Sequence, residues 1–334
     1  MFKFELVILY LIINFFIYKN YFKIGKFINV YDLPNNRKIH KKKTPLIGGV
    51  ILIINLLLLI ILINFEHFKP ILQNYSFITF EDLKFYIIFA VPLFLIGLYD
   101  DKFDLNPNLK LFILSIIIFL FLYFDNSSLI MDLKFSFFEK NIHTGKYSYL
   151  FTVLCYLLFI NACNMYDGIN LQSSSYFLIF ILFISLVGQP SFFSIILISS
   201  LLNFLLLNKN GKIFMGDSGI YLYAFTLGFI AIKNYNANII GDVDTIFILM
   251  MVPGVDMLRM FITRIINRKN PFRPDRHHIH HLLNFKFKYK KTILILNLLL
   301  LIPIFLYLIG INNLLIIFFY VSFYLIFINK IKKI

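Results

Sequence analysis

Acidic residues are few in this chain, 17 Asp and Glu against 32 Lys and Arg, and almost no charge of either sign falls in the middle of its long apolar runs. That scarcity counts against a pump or an ion-coupled transporter, which usually carries ionisable groups inside its spans despite their cost. Cysteine occurs only as Cys155 and Cys163, close together on one apolar run and without CxxC spacing, which excludes a disulfide framework and reads as free thiols. No GxxxxGK[ST] stretch is present, so there is no P-loop. No small-residue cleavage site follows "MFKFELVILYLIINFFIYK", so that segment reads as a retained span and not a signal peptide. With no internal repeat, Pro-rich linker or polar block of domain size, residues 1–334 read as one integral-membrane domain.

What is there is apolar surface. Hydrophobic residues make up 60% of the chain and the mean hydropathy is +0.81, against roughly 45–50% apolar in soluble domains. The runs approach the ~20 residues that cross a ~30 Å hydrocarbon layer and do not alternate as barrel strands would. The expectation is an all-α polytopic protein of about eleven transmembrane helices: 4–20, 46–64, 84–99, 109–124, 147–163, 174–188, 190–207, 217–232, 243–262, 292–309 and 312–328. Segment 131–150 alternates partly around His143-Thr144-Gly145 and reads as a short external hairpin.

Lys19, Lys23, Lys26, Arg37, Lys38, Lys41, Lys42 and Lys43 crowd the first loop, more Lys and Arg fill 259–291, and Lys330, Lys332 and Lys333 close the chain. The positive-inside rule puts these on the cytoplasmic side, with the N-terminus periplasmic and the C-terminus cytoplasmic. That rule alone explains most of the +15 net charge. The same basic face would also gather lipid phosphates and nucleotides.

The acidic residues collect at the inner ends of the helices, in three clusters. "GLYDDKFDLNPNLK" (97–110) holds the adjacent pair Asp100 and Asp101. Neighbouring carboxylates repel, and a hard divalent cation with oxygen ligands would relieve them; a solvated helix end is the plainer alternative. In "NACNMYDGINLQ" (161–172), Asn161, Asn164 and Asp167 stack on one helix face before Asp167-Gly168 ends the helix, which reads either as a site or as a capped stop. In "NKNGKIFMGDSGIY" (208–221), Asp217 stands at a helix start beside glycines, as a helix cap or as a metal-binding carboxylate near a phosphate. A fourth stretch, "RPDRHHIHHLL" (273–283), packs four of the seven histidines into five residues. Zinc is one reading. The flanking Arg273 and Arg276 suit a phosphate or nucleotide clamp better than a second cation, and a solvated loop is the third reading.

Taken together and in order, "YDLPNNRKIHKKKTPLIGGV", "GLYDDKFDL", "NACNMYDGIN", "GKIFMGDSG", "PGVDMLRMFITR" and "NPFRPDRHHIHHLL", within 31–285, resemble the polyprenyl-phosphate N-acetylhexosamine-1-phosphate transferases. The form of the histidine motif is closest to the undecaprenyl-phosphate GlcNAc-1-phosphate (WecA-like) branch. The phospho-MurNAc-pentapeptide transferases are more distant relatives.

The resemblance implies an active site on the cytoplasmic face of the bacterial inner membrane. There HexNAc-1-phosphate, with GlcNAc as the first choice, passes from a UDP-sugar to undecaprenyl phosphate, releasing UMP, at the first membrane step of a cell-surface polysaccharide such as O antigen. It implies Mg2+, with Mn2+ as a substitute. Carried over by position, Asp100, Asp101 and Asp167 are catalytic, and Asp217 and Asp101 hold the metal. Asn164, Asn208, Arg264, His278, His280, His281, Lys38 and Lys110 contact substrates, with His40 a further secondary contact. The expected partners are undecaprenyl phosphate, a UDP-N-acetylhexosamine and the bilayer, with no nucleic acid; a homodimer is an assembly to test.

One departure stands out: the pattern's second aspartate after the DG turn is Asn170 here. A carboxamide cannot act as a base and binds Mg2+ more weakly, so the expectation is an altered sugar preference, with a 6-deoxy amino sugar or MurNAc-pentapeptide as alternative donors. The rival classes are a transporter of lipid-linked substrates and an inactive scaffold.

Overall fold

The computed structural model describes residues 2–34, 42–65, 78–188, 192–270 and 277–332. In chain order these form α1 (Phe2–Ile28), β1 (Tyr31–Asp32), β2 (Thr44–Pro45), α2 (Gly48–Ile63), α3 (Phe80–Phe103), α4 (Pro107–Phe124), β3 (Asp132–Phe135), β4 (Phe138–His143), α5 (Ser148–Tyr166), α6 (Gln172–Val187), α7 (Phe192–Asn208), α8 (Gly216–Asn236), α9 (Val243–Ile266), α10 (Ile279–Lys286), α11 (Tyr289–Leu308) and α12 (Asn313–Lys332).

Helix starts follow local chemistry. Thr79 and Asp82 exchange side-chain and backbone hydrogen bonds at 3.1 and 2.8 Å, a capping box that opens α3. Asn106 accepts from the Asn108 N–H and Pro107 takes the first helical position, where its missing donor costs nothing, to open α4. The molecule is mostly helical, and seven of the described helices, α1, α3, α4, α5, α9, α11 and α12, are long and apolar enough to cross a membrane. The chain is thus a multi-pass membrane protein. The apolar helices α2, α6 and α7 are shorter, 16, 16 and 17 residues, or about 24–26 Å at ~1.5 Å per residue.

The remaining expected span, α8, differs in kind. From Ser218 to Tyr235 every residue is buried, so α8 meets protein on all sides. It is enclosed by α3, α2, α5 and α6, and its polar groups find partners inside: Thr226 with Tyr86 at 2.6 Å, Tyr223 with Ser200 at 2.9 Å. Gly97 lets α3 touch it backbone to backbone, since a Cβ at that position would run into Ser218. On the other flank, α1 is fastened to α2 and α7 by a buried amide cluster. Asn14 donates to Asn55 at 2.9 Å, and Asn203 donates to the Asn14 carbonyl at 2.9 Å.

At one end of the helices, β1 pairs antiparallel with β2, and the segment before α8 is stitched to β2 by Phe214 N–H to Pro45 O at 3.0 Å and Gly48 N–H to Phe214 O at 3.1 Å. At the opposite end β3 and β4 form an antiparallel hairpin, Asp132 facing His143 and Phe135 facing Phe138. The hairpin expected in 131–150 is present, but it turns at Ser136-Phe137. His143 closes the second strand instead of forming the turn.

Candidate active site

The end that carries β1 and β2 gathers the C-termini of α3, α5, α7 and α9 and the N-termini of α4, α6 and α8. The close α3–α8 contact at Gly97 sets the first half of the site. Asp101 accepts the Asp217 N–H at 2.7 Å and the Ser218 N–H at 3.1 Å, so a carboxylate from α3 caps the N-terminus of α8 and answers its positive dipole end. Each Asp101 oxygen thus meets one backbone N–H at the start of α8, and this carboxylate fixes where Asp217, its expected partner in holding the metal, stands.

Asp217 and Asp100 converge instead. Lys110, one turn into α4, lies 2.5 Å from Asp100 Oδ2 and 3.1 Å from Asp217 Oδ2. Tyr221, one turn along α8 from Asp217, donates to Asp100 Oδ2 at 2.8 Å. Asn164 of α5 donates to the other Asp217 oxygen at 3.0 Å, and the Leu105 N–H to the other Asp100 oxygen at 2.9 Å. Two hard oxygen donors facing one cation suit Mg2+, which commonly takes one or two carboxylates and completes its shell with water and substrate phosphate. Among the described residues no group of three His, Cys, Asp or Glu side chains stands at metal-ligating spacing.

The end of α5 joins this half to the histidines. Asp167 ends the helix and accepts from Ser173 Oγ at 2.5 Å. Burial, augmented by the nearby charge of Asp32 and partly offset by the Ser173 bond, pushes its carboxyl up to about 6. Gly168 follows, with the His280 ring lying directly where a Cβ would be. Gln172 meets His280 Nδ1 at 3.3 Å. Burial, with His281 and His278 adding to it, holds the His280 imidazole far below its ordinary pKa, so it is a neutral hydrogen-bonding ring and not a cation. The rings of His278 and His280 lie parallel, 5.7 Å apart, and His280 and His281 approach to 4.2 Å. His278 Nδ1 is bound to Asp256 at 2.7 Å. Among the described residues these rings are tied to different partners, His278 to Asp256 and His280 to Gln172, and no three-residue metal-ligating group includes them.

The remaining expected contacts lie on this turn and beyond it. Asn208 is buried and accepts the Leu171 N–H at 2.7 Å while donating to Ile213 O at 2.9 Å, so it braces the turn after Asp167. Arg264 is buried at the end of α9 and lines a cavity of about 640 Å3 with Lys269, His277 and Lys286. Asn170 has its carbonyl bound by Tyr289 OH at 2.9 Å and its amide beside Gly211. Lys38, His40, Arg273 and Arg276 lie outside the described residues. Sequence reading passed over Tyr221, although it stands four residues after Asp217, and over Asp32, the one carboxylate of the first motif. It also passed over Asp256 inside "PGVDMLRM".

Residues 83–235 match the model of glycosyl transferase family 4. The chain is 30% identical over 287 residues to an undecaprenyl-phosphate alpha-N-acetylglucosaminyl 1-phosphate transferase of Thermotoga maritima, covering 85% of this chain and 83% of that one. Proteins of the same name from Escherichia coli O157:H7 and Yersinia pestis are 27% and 28% identical, each over 78% of this chain and 71% of its own.

Proposed function

The chain belongs to glycosyl transferase family 4, and from that premise we propose that it moves GlcNAc-1-phosphate from UDP-GlcNAc to undecaprenyl phosphate, with UMP as the second product. The observation that carries this reading is the meeting of Asp100, Lys110, Asn164, Asp217 and Tyr221 at one helix end, joined through the Asp167-Gly168 turn to the histidines. We place this end on the cytoplasmic side of the bacterial inner membrane, because the basic segments flank it. On the same reading α2, α6, α7 and α8 complete eleven spans, with the N-terminus outside and the C-terminus inside.

The reaction brings two anions together: a phosphate oxygen of the acceptor attacks the β-phosphorus of the donor, and the bond from that phosphorus to the oxygen of UMP breaks. Bound Mg2+, held by Asp217 and the adjoining Asp100 and Asp101 pair, would supply charge neutralisation at the diphosphate. The chain's own groups do the rest. Lys110 brings a second positive charge to the carboxylates and to an arriving phosphate, and Tyr221 and Asn164 fix the carboxylate oxygens in direction. Asp101 holds the α8 N-terminus in register. The acceptor phosphate has a second pKa of about 6 and is mostly dianionic at neutral pH, so proton removal is a small part of the work. His280, neutral and buried against Gly168, offers hydrogen bonding to the donor without adding charge, and His281 stands beside it.

The deciding experiment uses the purified protein in nanodiscs with undecaprenyl phosphate, Mg2+ and a panel of UDP-linked amino sugars, read by UMP release. UDP-GlcNAc is expected to be the best donor. UMP release from a 6-deoxy amino sugar alone would move the specificity, as Asn170 first suggested. Silence with every donor would overturn the transferase reading.

A further inference from the structure

Asp256 lies in the interior of α9, 2% exposed, and is not part of the aspartate cluster. It nevertheless collects four hydrogen bonds. Arg259 Nη2 and Tyr324 OH each donate to Oδ1 at 2.7 Å, and the Ile279 N–H reaches the same oxygen at 3.3 Å. Among the described residues Oδ2 has a single partner, His278 Nδ1, at 2.7 Å. The three side-chain donors come from α9, from the last helix α12, and from the residue that starts α10.

A buried carboxylate with this many donors stays ionised and therefore accepts from every one of them. His278 Nδ1 is committed as a donor, and the hydrogen bond at one ring nitrogen decides what the other can do. Among the described residues no hydrogen bond is formed to His278 Nε2, which leaves it as the nitrogen available to a ligand. The ring stands parallel to His280, which lies against the Asp167-Gly168 turn of the proposed site. Arg259 also donates to the His277 carbonyl at 2.7 Å, so the hub fixes the backbone on both sides of His278.

We propose that Asp256 is a positioning residue for the transfer reaction: it fixes the protonation of His278 at Nδ1 and the start of α10, leaving Nε2 for the donor phosphate, and Tyr324 makes the last helix part of that device. The proposal rests on the transferase reading for its kinetic effect but not for its hydrogen bond, and the test separates the two.

Kinetics of Asp256→Asn, Tyr324→Phe, His278→Ala and the two double variants are compared in nanodiscs with UDP-GlcNAc. Asp256→Asn is expected to lose about 10- to 100-fold in kcat/KM, as when the outer partner of a working imidazole is removed. Tyr324→Phe is expected to lose about threefold, one shared hydrogen bond's worth. Both losses should vanish in the His278→Ala background, because residues acting through one another are non-additive. Additive losses, or unchanged kinetics in Asp256→Asn, would overturn the proposal, since a merely structural hub adds its cost to any other.

Tyr324→Phe keeps the test open if Asp256→Asn does not fold. A second readout needs no substrate: 15N spectra of histidine-labelled protein. A signal protonated at Nδ1, absent in His278→Ala and displaced in Asp256→Asn, is expected; a signal unmoved by Asp256→Asn would also overturn the proposal. If the native protein releases no UMP from any donor while that signal behaves as expected, the transferase reading fails and the hydrogen-bonded device stands.

Discussion

The two ends of α8 carry nearly the same ionic arithmetic. At one end Asp217 of α8 and Asp100 of α3 share Lys110 of α4. At the other, Lys233 of α8 is shared by Asp82 of α3, at 2.7 Å, and Asp125 after α4, at 3.0 Å. The sign on α8 follows its dipole, an anion at the N-terminus and a cation at the C-terminus. What differs is access. The Lys233 and Asp125 side chains are 6% and 4% exposed, and Ser127 and Ser128 fill the remaining acceptor positions. The Asp217 side chain is 27% exposed, and beside its cluster stands the Asp167 and His280 turn. Two carboxylates and a lysine are thus a rivet when sealed and a site when open. Ion pairing alone does not tell one from the other.

Breaking the rivet should give the largest effect on stability. Lys233→Met strands the buried Asp125 carboxylate and takes a partner from the half-buried Asp82, and is expected to cost about 3 kcal/mol, read as a large fall in the Tm of the nanodisc protein, with kcat of the surviving folded fraction unchanged. A normal Tm would mean that the outer cluster is not a structural lock. Asp217→Ala should do the reverse, lowering kcat by about 10²–10³-fold with little loss of Tm, since it removes a group that stabilises charge in the transition state. His281→Ala is expected to raise the donor KM about tenfold, the worth of one hydrogen bond to a charged group, while the Mg2+ concentration for half activity stays where it was. Sensitivity to a zinc-selective chelator would instead restore the metal reading of the histidines.

The mildest test concerns pH. Asp167 and the acceptor phosphate both titrate at about 6, so kcat/KM should fall about a hundredfold per unit well below pH 6 if both ionised forms are the working ones, and Asp167→Asn should leave only the acceptor's roughly tenfold per unit. The sign for stability is opposite to that of a salt-bridged carboxylate. Its folded pKa lies above the unfolded value of about 4, so the folded state holds the proton more tightly. Its contribution is full below about pH 4 and is lost as pH rises to 6.

Most of the helical framework was legible because apolar runs of this length allow little else. The enclosure of α8 was not. Its hydrophobic pattern looks like a lipid-facing span, and only the packing at Gly97 and the internal partners of Thr226 and Tyr223 show it as the core. That the acidic motifs meet at one helix end was legible, and the partner each residue takes there was not. Spacing placed Asp100 and Asp101 together but could not tell that one faces Lys110 and the other the α8 backbone, because that choice is made by a helix more than a hundred residues away. Asn208 kept its predicted neighbourhood, yet its amide is spent on holding a turn. Asp256 went unseen because its partners, His278 and Tyr324, come from separate stretches of chain.

The amide cluster of Asn14, Asn55 and Asn203 bears on how the molecule is built during synthesis. An uncompensated amide is costly in hydrocarbon. Asn14 and Asn55 emerge early and exchange bonds at 2.9 and 3.3 Å, so α1 and α2 can join as a pair as soon as both are inserted. The third amide arrives only with α7, when Asn203 reaches Asn14. The first helix is therefore held by a partner made long after it, and final docking of the N-terminal pair waits on the translation of the middle of the chain.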